Sequence, residues 1–302
     1  MHDLIIIGGG PAGISAAIYA ARYKLNFLLI TETLGGWLNE IDKIENYPGF
    51  KSISGFELIE KYKEQLAYLE APVIYKNVIS IDKDGNGFNL IDNSNEVYRA
   101  KTIIIASGSK KQSLNIPGEK EFLGSGVSYC AVCDAMFFKN KRVAVIGGAN
   151  SAVSAALHLS KIADMVYLVY RKDKLRAAQS LVDNLEKVKN IKIIFNTNLL
   201  KIGGENKVEY AKLDNEYDGS AALKLDGVFI EVGIIPITEL VKNIGVELDA
   251  AGQIKVNDKC MTNISGVFAA GDVTNGQGGL KQFVTALASG AIAATEANRY
   301  LR

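Results

Sequence analysis

Twice along this chain a short apolar, β-branched stretch runs into a glycine turn and then into an alanine-rich helical segment, and that repetition limits the possible folds more than any other feature. In the first copy Leu4-Ile5-Ile6-Ile7 is followed by Gly8-Gly9-Gly10-Pro11-Ala12-Gly13 and a predicted helix to about Tyr23. Gly8, Gly10 and Gly13 stand at G-x-G-x-x-G spacing: the first permits a tight turn, the second lets the backbone approach a pyrophosphate, and the third lets helix and strand pack closely. The free N–H groups at the helix start then face the phosphates. Asn26 to Ile30 predicts a second strand, ending near Glu32, which lies 19 positions past Gly13, where a ribose-binding carboxylate is expected.

The second copy is Val143-Ala144-Val145-Ile146-Gly147-Gly148, with Asn150-Ser151-Ala152 leading into a helix through Ile162. The strand that follows, Met165 to Val169, ends not on an acid but on Tyr170-Arg171-Lys172-Asp173-Lys174-Leu175-Arg176. Cations where a carboxylate would hold a ribose 2′-hydroxyl point to a 2′-phosphate, hence NADP rather than NAD. The plainer alternative is a solvated basic loop before a helix. Two such units in series predict an α/β chain with two Rossmann-like nucleotide-binding domains, and 302 residues that are 48% hydrophobic suffice for two cores. With 34 basic against 33 acidic side chains there is no electrostatic case for nucleic acid or an anionic membrane as partner. The apolar run from Leu4 to Ile7 is broken by glycines and lacks a basic flank and a cleavage site, so it reads as a strand and the expected location is cytoplasmic.

Between the two motifs, Phe56 to Leu69 has helical spacing, and short alternating segments at Val73–Tyr75, Val78–Ile81, Phe88–Ile91 and Val97–Tyr98 predict a small antiparallel insertion. Gly35-Gly36-Trp37 and Glu45-Asn46-Tyr47-Pro48-Gly49-Phe50 are turn-rich and predict a loop over the ligand. Lys101 to Ala106 is a further buried strand ending in Ser107-Gly108. Later strands are expected at Ile191–Phe195, Lys207–Leu213 and Gly227–Val232. Near the end, Val267-Phe268-Ala269-Ala270-Gly271-Asp272 delivers an acid beside a glycine turn, suited to a sugar or ribityl hydroxyl chain, with Gly276-Gln277-Gly278-Gly279 and a small-residue helix beyond.

Two of the three cysteines lie one turn apart in Tyr129-Cys130-Ala131-Val132-Cys133-Asp134. At a helix start such a pair can close a small disulfide ring, and the helix dipole favours the thiolate of the first cysteine. Asp134 is the candidate proton donor and acceptor for a departing thiolate. A zinc site needs about four ligands, and only Cys260, His2 and His158 remain, none in paired spacing. A structural staple is unneeded in a chain with this much core, and Cys260 reads as a small buried hydrophobe.

The ordered set GGGPAG, ENYPGF, ASG, C-x-x-C-D, a second glycine motif, R-K-x-x-x-R and GVFAAGDV resembles the low-molecular-weight thioredoxin reductases over essentially the whole chain. The resemblance implies an FAD domain from residues 1–113 and 240–302, with a pyridine-nucleotide domain carrying the redox pair inserted at 114–239. It implies FAD held at the pyrophosphate by Gly8, Gly10, Pro11, Ala12 and Gly13, with Asn46, Gly271, Asp272 and Gln282 around the flavin. It assigns Cys130 as the thiol that attacks the partner's disulfide and Cys133 as the one facing the flavin. NADPH would reduce FAD, the flavin would reduce the disulfide, and the dithiol would reduce a thioredoxin-like protein. A homodimer and a domain rotation between half-reactions are also implied.

The chain departs from the family pattern in two places. Many members read G-G-Q-L where this chain has Gly35-Gly36-Trp37-Leu38, so its only tryptophan stands beside the expected cofactor site, as a stacking ring or as ordinary packing. In the second motif Ala149 replaces a glycine, Ser154-Ala155 replaces an acidic pair, and H-R-R-x-x-x-R has become Tyr170-Arg171-Lys172-x-x-x-Arg176. Gly147, Arg171, Lys172 and Arg176 remain as the NADPH-binding set. The rival readings are the same reductase supplied by ferredoxin or a deazaflavin, the reductase component of a peroxide-reducing system, and a flavin-binding protein without turnover.

Overall fold

A computed structural model of the chain describes residues 1–302 other than 42–43, 86, 277 and 279. The chain divides into two compact units, Met1–Lys110 with Ile235–Arg302, and Lys111–Ile234.

In the first unit β1 (His2–Gly9) turns into α1 (Pro11–Arg22) and β2 (Phe27–Leu34), followed by α2 (Gly55–Tyr68), β3 (Val73–Tyr75), β4 (Val78–Asp84), β5 (Gly87–Asp92) and β6 (Val97–Ile105). The sheet runs β3-β2-β1-β6-β5-β4. β1, β2, β3 and the distal half of β6 are parallel, while β5 pairs antiparallel with β4 on one side and with the start of β6 on the other. Leu4 to Ile7 can be uniformly apolar because both faces of β1 are covered. Leu4 and Ile6 join the core under α1 and α2, whereas Ile5 and Ile7 join Val78, Ile81 and Leu90 on the other face.

The chain leaves this unit along β7 (Ser109–Lys111). The second unit contains β8 (Val127–Ser128), α3 (Ala131–Asp134), β9 (Arg142–Ile146), α4 (Asn150–Leu159), β10 (Met165–Val169), α5 (Gln179–Glu186) and β11 (Ile191–Ile194), then β12 (Leu199–Gly203), β13 (Tyr210–Tyr217), β14 (Ser220–Lys224) and β15 (Gly227–Ile230). A parallel sheet in the order β11-β10-β9-β15-β8 carries an apolar helical layer on one face. The antiparallel β12-β13-β14 sheet covers the other, through Ile202, Val208, Ala211 and Leu213 against Ala144, Ile146 and Val228.

β16 (Ile234–Pro236) pairs with β7, and the returning chain supplies β17 (Val267–Ala269) and α6 (Phe283–Tyr300) to the first unit. β17 adds parallel to β6 through Val267↔Ile103 and Ala269↔Ile105. β6 is therefore shared: its first half pairs with β5 and its second half with β17. α6 lies on α1 along alanine faces, Ala12, Ala16 and Ala20 against Ala286, Ala293 and Ala297. Among the described residues no helix is long and apolar enough to cross a membrane.

Three expected segments are corrected. Val73–Tyr75 does not belong to the antiparallel insertion; as β3 it is a parallel edge strand on β2, with Leu29↔Val73 and Thr31↔Tyr75 in register. Val97–Tyr98 is not a separate strand but the beginning of β6. Alternation reports that one face of a strand is buried, not which partner covers its edge, and β3 finds its partner on the far side of α2. The strand expected at Lys207–Leu213 begins instead at Tyr210 and runs to Tyr217.

A Cβ added to Gly290 would stand 2.0 Å from the Ala12 carbonyl oxygen. Gly290→Ala is accordingly expected to push α6 off α1 and lower unfolding free energy by about 3 kcal/mol, read from urea unfolding of the purified protein.

Candidate active site

The first glycine turn sits at the carboxyl end of β1, between β2 and β6, the position at which open α/β sheets bind ligands. Gly8 has φ +105°, and a Cβ there would meet the Ala106 carbonyl oxygen at 2.3 Å, so only glycine fits. Around Gly10, by contrast, an added Cβ meets nothing within 4 Å. That open face lies at the N-cap of α1, which no side chain caps. The turn thus presents uncapped helix N–H groups beside a space the protein leaves unfilled, and the donor set fits a pyrophosphate. Gly9 N–H donates to Thr31 Oγ1 at 2.8 Å, which secures the turn to β2.

Other predicted residues converge on this turn. Gly35 N–H donates to the Gly9 carbonyl at 2.8 Å, and a Cβ on Gly36 would lie 3.1 Å from Gly10 Cα. Trp37 is half-buried and its indole N–H donates to Ser109 Oγ at 3.1 Å. Gly271 approaches Ala12, whose Cβ would be 2.9 Å from one added to Gly271, placing the buried end of β17 and Asp272 beside α1. Asn46 Nδ2 donates to Gln282 Oε1 at 3.0 Å, and Tyr47 stacks on Phe50 and tilts onto Phe283, which ties the loop holding Asn46 to the start of α6. Glu32 is exposed near the end of β2. Of the glycine turn beyond Asp272, Gln277 and Gly279 lie outside the described residues.

Asp272 is half-buried, and burial raises its carboxyl pKa despite the opposing charge of Lys281. Lys281 donates to the carbonyls of Asp272 and Thr274, and burial lowers its pKa. Thr31 and Lys281 carry no motif in the sequence; the fold brings Thr31 to the glycine turn and Lys281 to the backbone around Asp272.

The second glycine turn follows β9, flanked by β10 and β15. Gly147 repeats the role of Gly8: φ is +144° and a Cβ would meet the Glu231 carbonyl oxygen at 2.2 Å. Ala149 occupies the N-cap of α4, as Gly10 does for α1, with φ −101°. Its methyl is therefore unstrained in the fold but stands where the first turn has open space. Tyr170 lies across Gly148, whose Cβ would be 2.5 Å from the ring, and its buried hydroxyl has no hydrogen-bond partner among the described residues. The following loop is pinned back by Arg176 N–H to the Gly148 carbonyl at 2.7 Å and by Ala178 N–H to Asn150 Oδ1 at 2.8 Å. Arg171, Lys172 and Arg176 are all exposed on that loop. An uncapped helix start with adjacent cations fits a phosphorylated dinucleotide, over a narrower approach than in the first unit.

In the same unit Cys130 and Cys133 form a disulfide. The helix expected at the pair is a single turn, Ala131–Asp134, continued by a 3-10 turn over Ala135–Phe138, so its macrodipole is slight. Cys130 is its N-cap, and its Sγ accepts the Cys133 N–H at 3.1 Å. Several contacts fix the backbone ahead of it. Tyr129 O–H donates to Glu119, whose carboxylate also accepts Leu114 N–H at 2.8 Å; burial and that carboxylate raise the Tyr129 pKa. Lys111 donates to the Tyr129 carbonyl and pairs with Glu231 at 3.3 Å. Ser128 Oγ accepts Cys130 N–H at 2.9 Å and lies 2.7 Å from Asp134 Oδ2. Lys111, Glu119, Ser128 and Glu231 carry no motif and went unread in the sequence. Just beyond Asp134, Met136 and Phe137 are 67% and 72% exposed, an apolar pair of the kind that marks a contact surface.

The profile of the pyridine nucleotide-disulphide oxidoreductase family matches residues 2–290. A thioredoxin reductase of Listeria monocytogenes serovar 1/2a is 41% identical over 304 aligned residues, covering 100% of this chain and 94% of the relative. The crystal structure of Lactococcus lactis thioredoxin reductase superposes with TM-score 0.95 at 39% identity, covering 100% of this chain and 99% of that one. The crystal structure of T. acidophilum thioredoxin reductase gives TM-score 0.92 at 37% identity over 99% and 98% of the two chains.

Burial of Asp272 yields a stability prediction. A carboxyl whose pKa is raised on folding keeps its proton longer in the native state, so native stability falls as pH rises through the window above its ordinary value of 3.8. Above that window the penalty is fully present. Asp272→Asn should raise the thermal midpoint of the cofactor-free protein at neutral pH, and the gain should fade as pH is lowered toward the ordinary carboxyl value, measured by calorimetry.

Proposed function

The chain belongs to the pyridine nucleotide-disulphide oxidoreductase family, and from that premise we propose that it is a thioredoxin reductase, moving electrons from NADPH by way of FAD to Cys130–Cys133 and on to a thioredoxin-like protein. The observation that carries this reading is a C-x-x-C disulfide whose second cysteine is exposed and whose following residue is a positioned carboxylate, in a chain that also has two dinucleotide-type turns.

In this reading the discontinuous unit is the FAD domain and the inserted unit the pyridine-nucleotide domain. Gly8, Gly10, Pro11, Ala12 and Gly13 would hold the FAD pyrophosphate, with Glu32 at a ribose, and Gly36, Trp37, Asn46, Gly271, Asp272 and Gln282 lining the remainder. Gly147, Arg171, Lys172 and Arg176 would hold NADPH, the cations taking the 2′-phosphate. Bound FAD supplies the two-electron link between a hydride donor and a disulfide. The chain's own residues perform the exchange. The Cys130 thiolate attacks the partner's disulfide, one partner sulfur leaves and takes a proton, and the Cys133 thiolate then attacks Cys130 to re-form the intramolecular bond and release the second sulfur. Asp134 holds and returns the proton. Met136 and Phe137 give the incoming partner an apolar surface next to the disulfide.

Anaerobic addition of NADPH, NADH and reduced ferredoxin to the flavin-loaded protein tests the donor. NADPH is expected to bleach the flavin at submillimolar concentration and NADH far less; bleaching by ferredoxin alone would transfer the assignment to that carrier. Arg171→Ala with Arg176→Ala should raise the KM for NADPH about tenfold or more while sparing that for NADH, as expected for loss of charge-assisted phosphate contacts. Cys133→Ser should abolish multiple turnover with thioredoxin and accumulate a mixed disulfide on Cys130, detected by mass spectrometry. Phe137→Ala should raise the KM for thioredoxin with kcat nearly unchanged.

A further inference from the structure

We propose that Ser128 is a positioning residue of the dithiol, holding Asp134 in the orientation from which it transfers a proton to a departing thiolate; this rests on the reading of Cys130–Cys133 as a redox pair. Ser128 is 3% exposed and ends β8, whose backbone is fixed in the sheet by the pairing of Ser128 with Phe229. Its hydroxyl has one proton to give. The two acceptors within reach are Asp134 Oδ2 at 2.7 Å and the Cys130 carbonyl at 3.3 Å. The nearer, charged acceptor takes it, because hydrogen bonds to a carboxylate are shorter and stronger than those to a neutral carbonyl. A lone pair of the same oxygen meanwhile accepts the Cys130 N–H at 2.9 Å. One side chain thereby joins the backbone of the first cysteine to the carboxylate that follows the second.

The arrangement has a chemical consequence. Asp134 sits at the end of a one-turn helix and is only half-buried, so packing alone does not select its rotamer. Among the described residues, Ser128 is the side chain that donates to its carboxylate, at Oδ2, leaving Oδ1 to carry a proton. When a two-electron reductant opens the Cys130–Cys133 bond, the S–S bond breaks and two thiolates form, each of which takes up one proton. Asp134 Oδ1 relays a solvent proton to one of them, and the other takes its proton from solvent directly. In the reverse sense, as the dithiol passes its two electrons to the partner's disulfide, the S–S bond re-forms and the two thiol protons end on the partner's sulfurs.

The test uses flavin-loaded wild-type protein, Ser128→Ala, Asp134→Asn, the double variant and Ser128→Thr, with thermal midpoints confirming that each is folded. The first readout is the rate at which dithiothreitol opens Cys130–Cys133, followed by acid quench, alkylation and mass spectrometry. The second is the separation of kcat from KM with thioredoxin. Ser128→Ala and Asp134→Asn are each expected to slow opening about tenfold or more, within the range of general acid–base effects. The double variant should be no slower than Asp134→Asn, because the serine acts through the aspartate. In turnover, Ser128→Ala should lower kcat and leave the KM for thioredoxin within about twofold, and Ser128→Thr, which keeps the hydroxyl, should regain most of the rate. Wild-type opening in Ser128→Ala, multiplied losses in the double variant, or a folded Ser128→Thr as slow as alanine would each overturn the proposal. Should the wild-type protein open with dithiothreitol yet fail to reduce thioredoxin with any donor, the proposed function fails while the dithiothreitol rates still decide the role of Ser128.

Discussion

The first unit depends on how closely α1 can lie against the end of β1. A Cβ on Gly13 would stand 1.7 Å from the Gly8 carbonyl oxygen, a distance no side chain survives, so the helix start is pressed directly onto the turn it follows. Because the helix begins there, its uncapped N–H groups emerge at the carboxyl edge of the sheet. α6 then meets α1 along small residues, and Gly290 sits on the Ala12 carbonyl in the same manner. Gly271 is carried in beside Ala12 by β17, and the Asn46–Gln282 bond joins the remaining loop to the head of α6. One steric requirement at one turn thus gathers residues from both ends of the chain.

The second unit keeps the architecture and relaxes the requirement. Ala152 stands where Gly13 does, and Ala149 where Gly10 does, each a methyl larger. The backbone accommodates them without strain, since Ala149 has an ordinary φ of −101°. What changes is the space in front of the helix, which is narrower and bordered by the Tyr170 ring, while the exposed cations Arg171, Lys172, Lys174 and Arg176 follow β10 where the first unit has Glu32 at the end of β2. A phosphorylated ligand bound there, as proposed, would lean on charge rather than on close backbone approach, and charge on exposed side chains is sensitive to ionic strength.

Around the dithiol the protein invests buried polar contacts in a short, exposed segment. A one-turn helix has little cooperativity of its own, so its position comes from neighbours: Glu119 on the Tyr129 hydroxyl, Lys111 on the Tyr129 carbonyl, and Ser128 on both Cys130 and Asp134. Rigid support behind a reactive pair with solvent in front leaves the sulfurs open to a partner while holding the groups that serve them.

Much of this was legible in the residues alone, for reasons that are local. The strand–turn–helix repeat, the α/β class, the C-x-x-C pair and the family likeness are all written in short windows, because a tight turn, a buried parallel strand and a disulfide ring each demand particular residues at particular spacings. The pairing of Val73–Tyr75 with β2, the double duty of β6, and the roles of Thr31, Lys281, Ser128 and Glu119 were not legible. A serine or a lysine has no signature until a second segment arrives within hydrogen-bond reach, and that arrival is decided by packing between residues distant along the chain. Sequence determined which turns and sulfurs could do chemistry; tertiary structure alone decided which side chains hold them in place, since hydrogen bonds act over about 3 Å of space and are indifferent to separation along the chain.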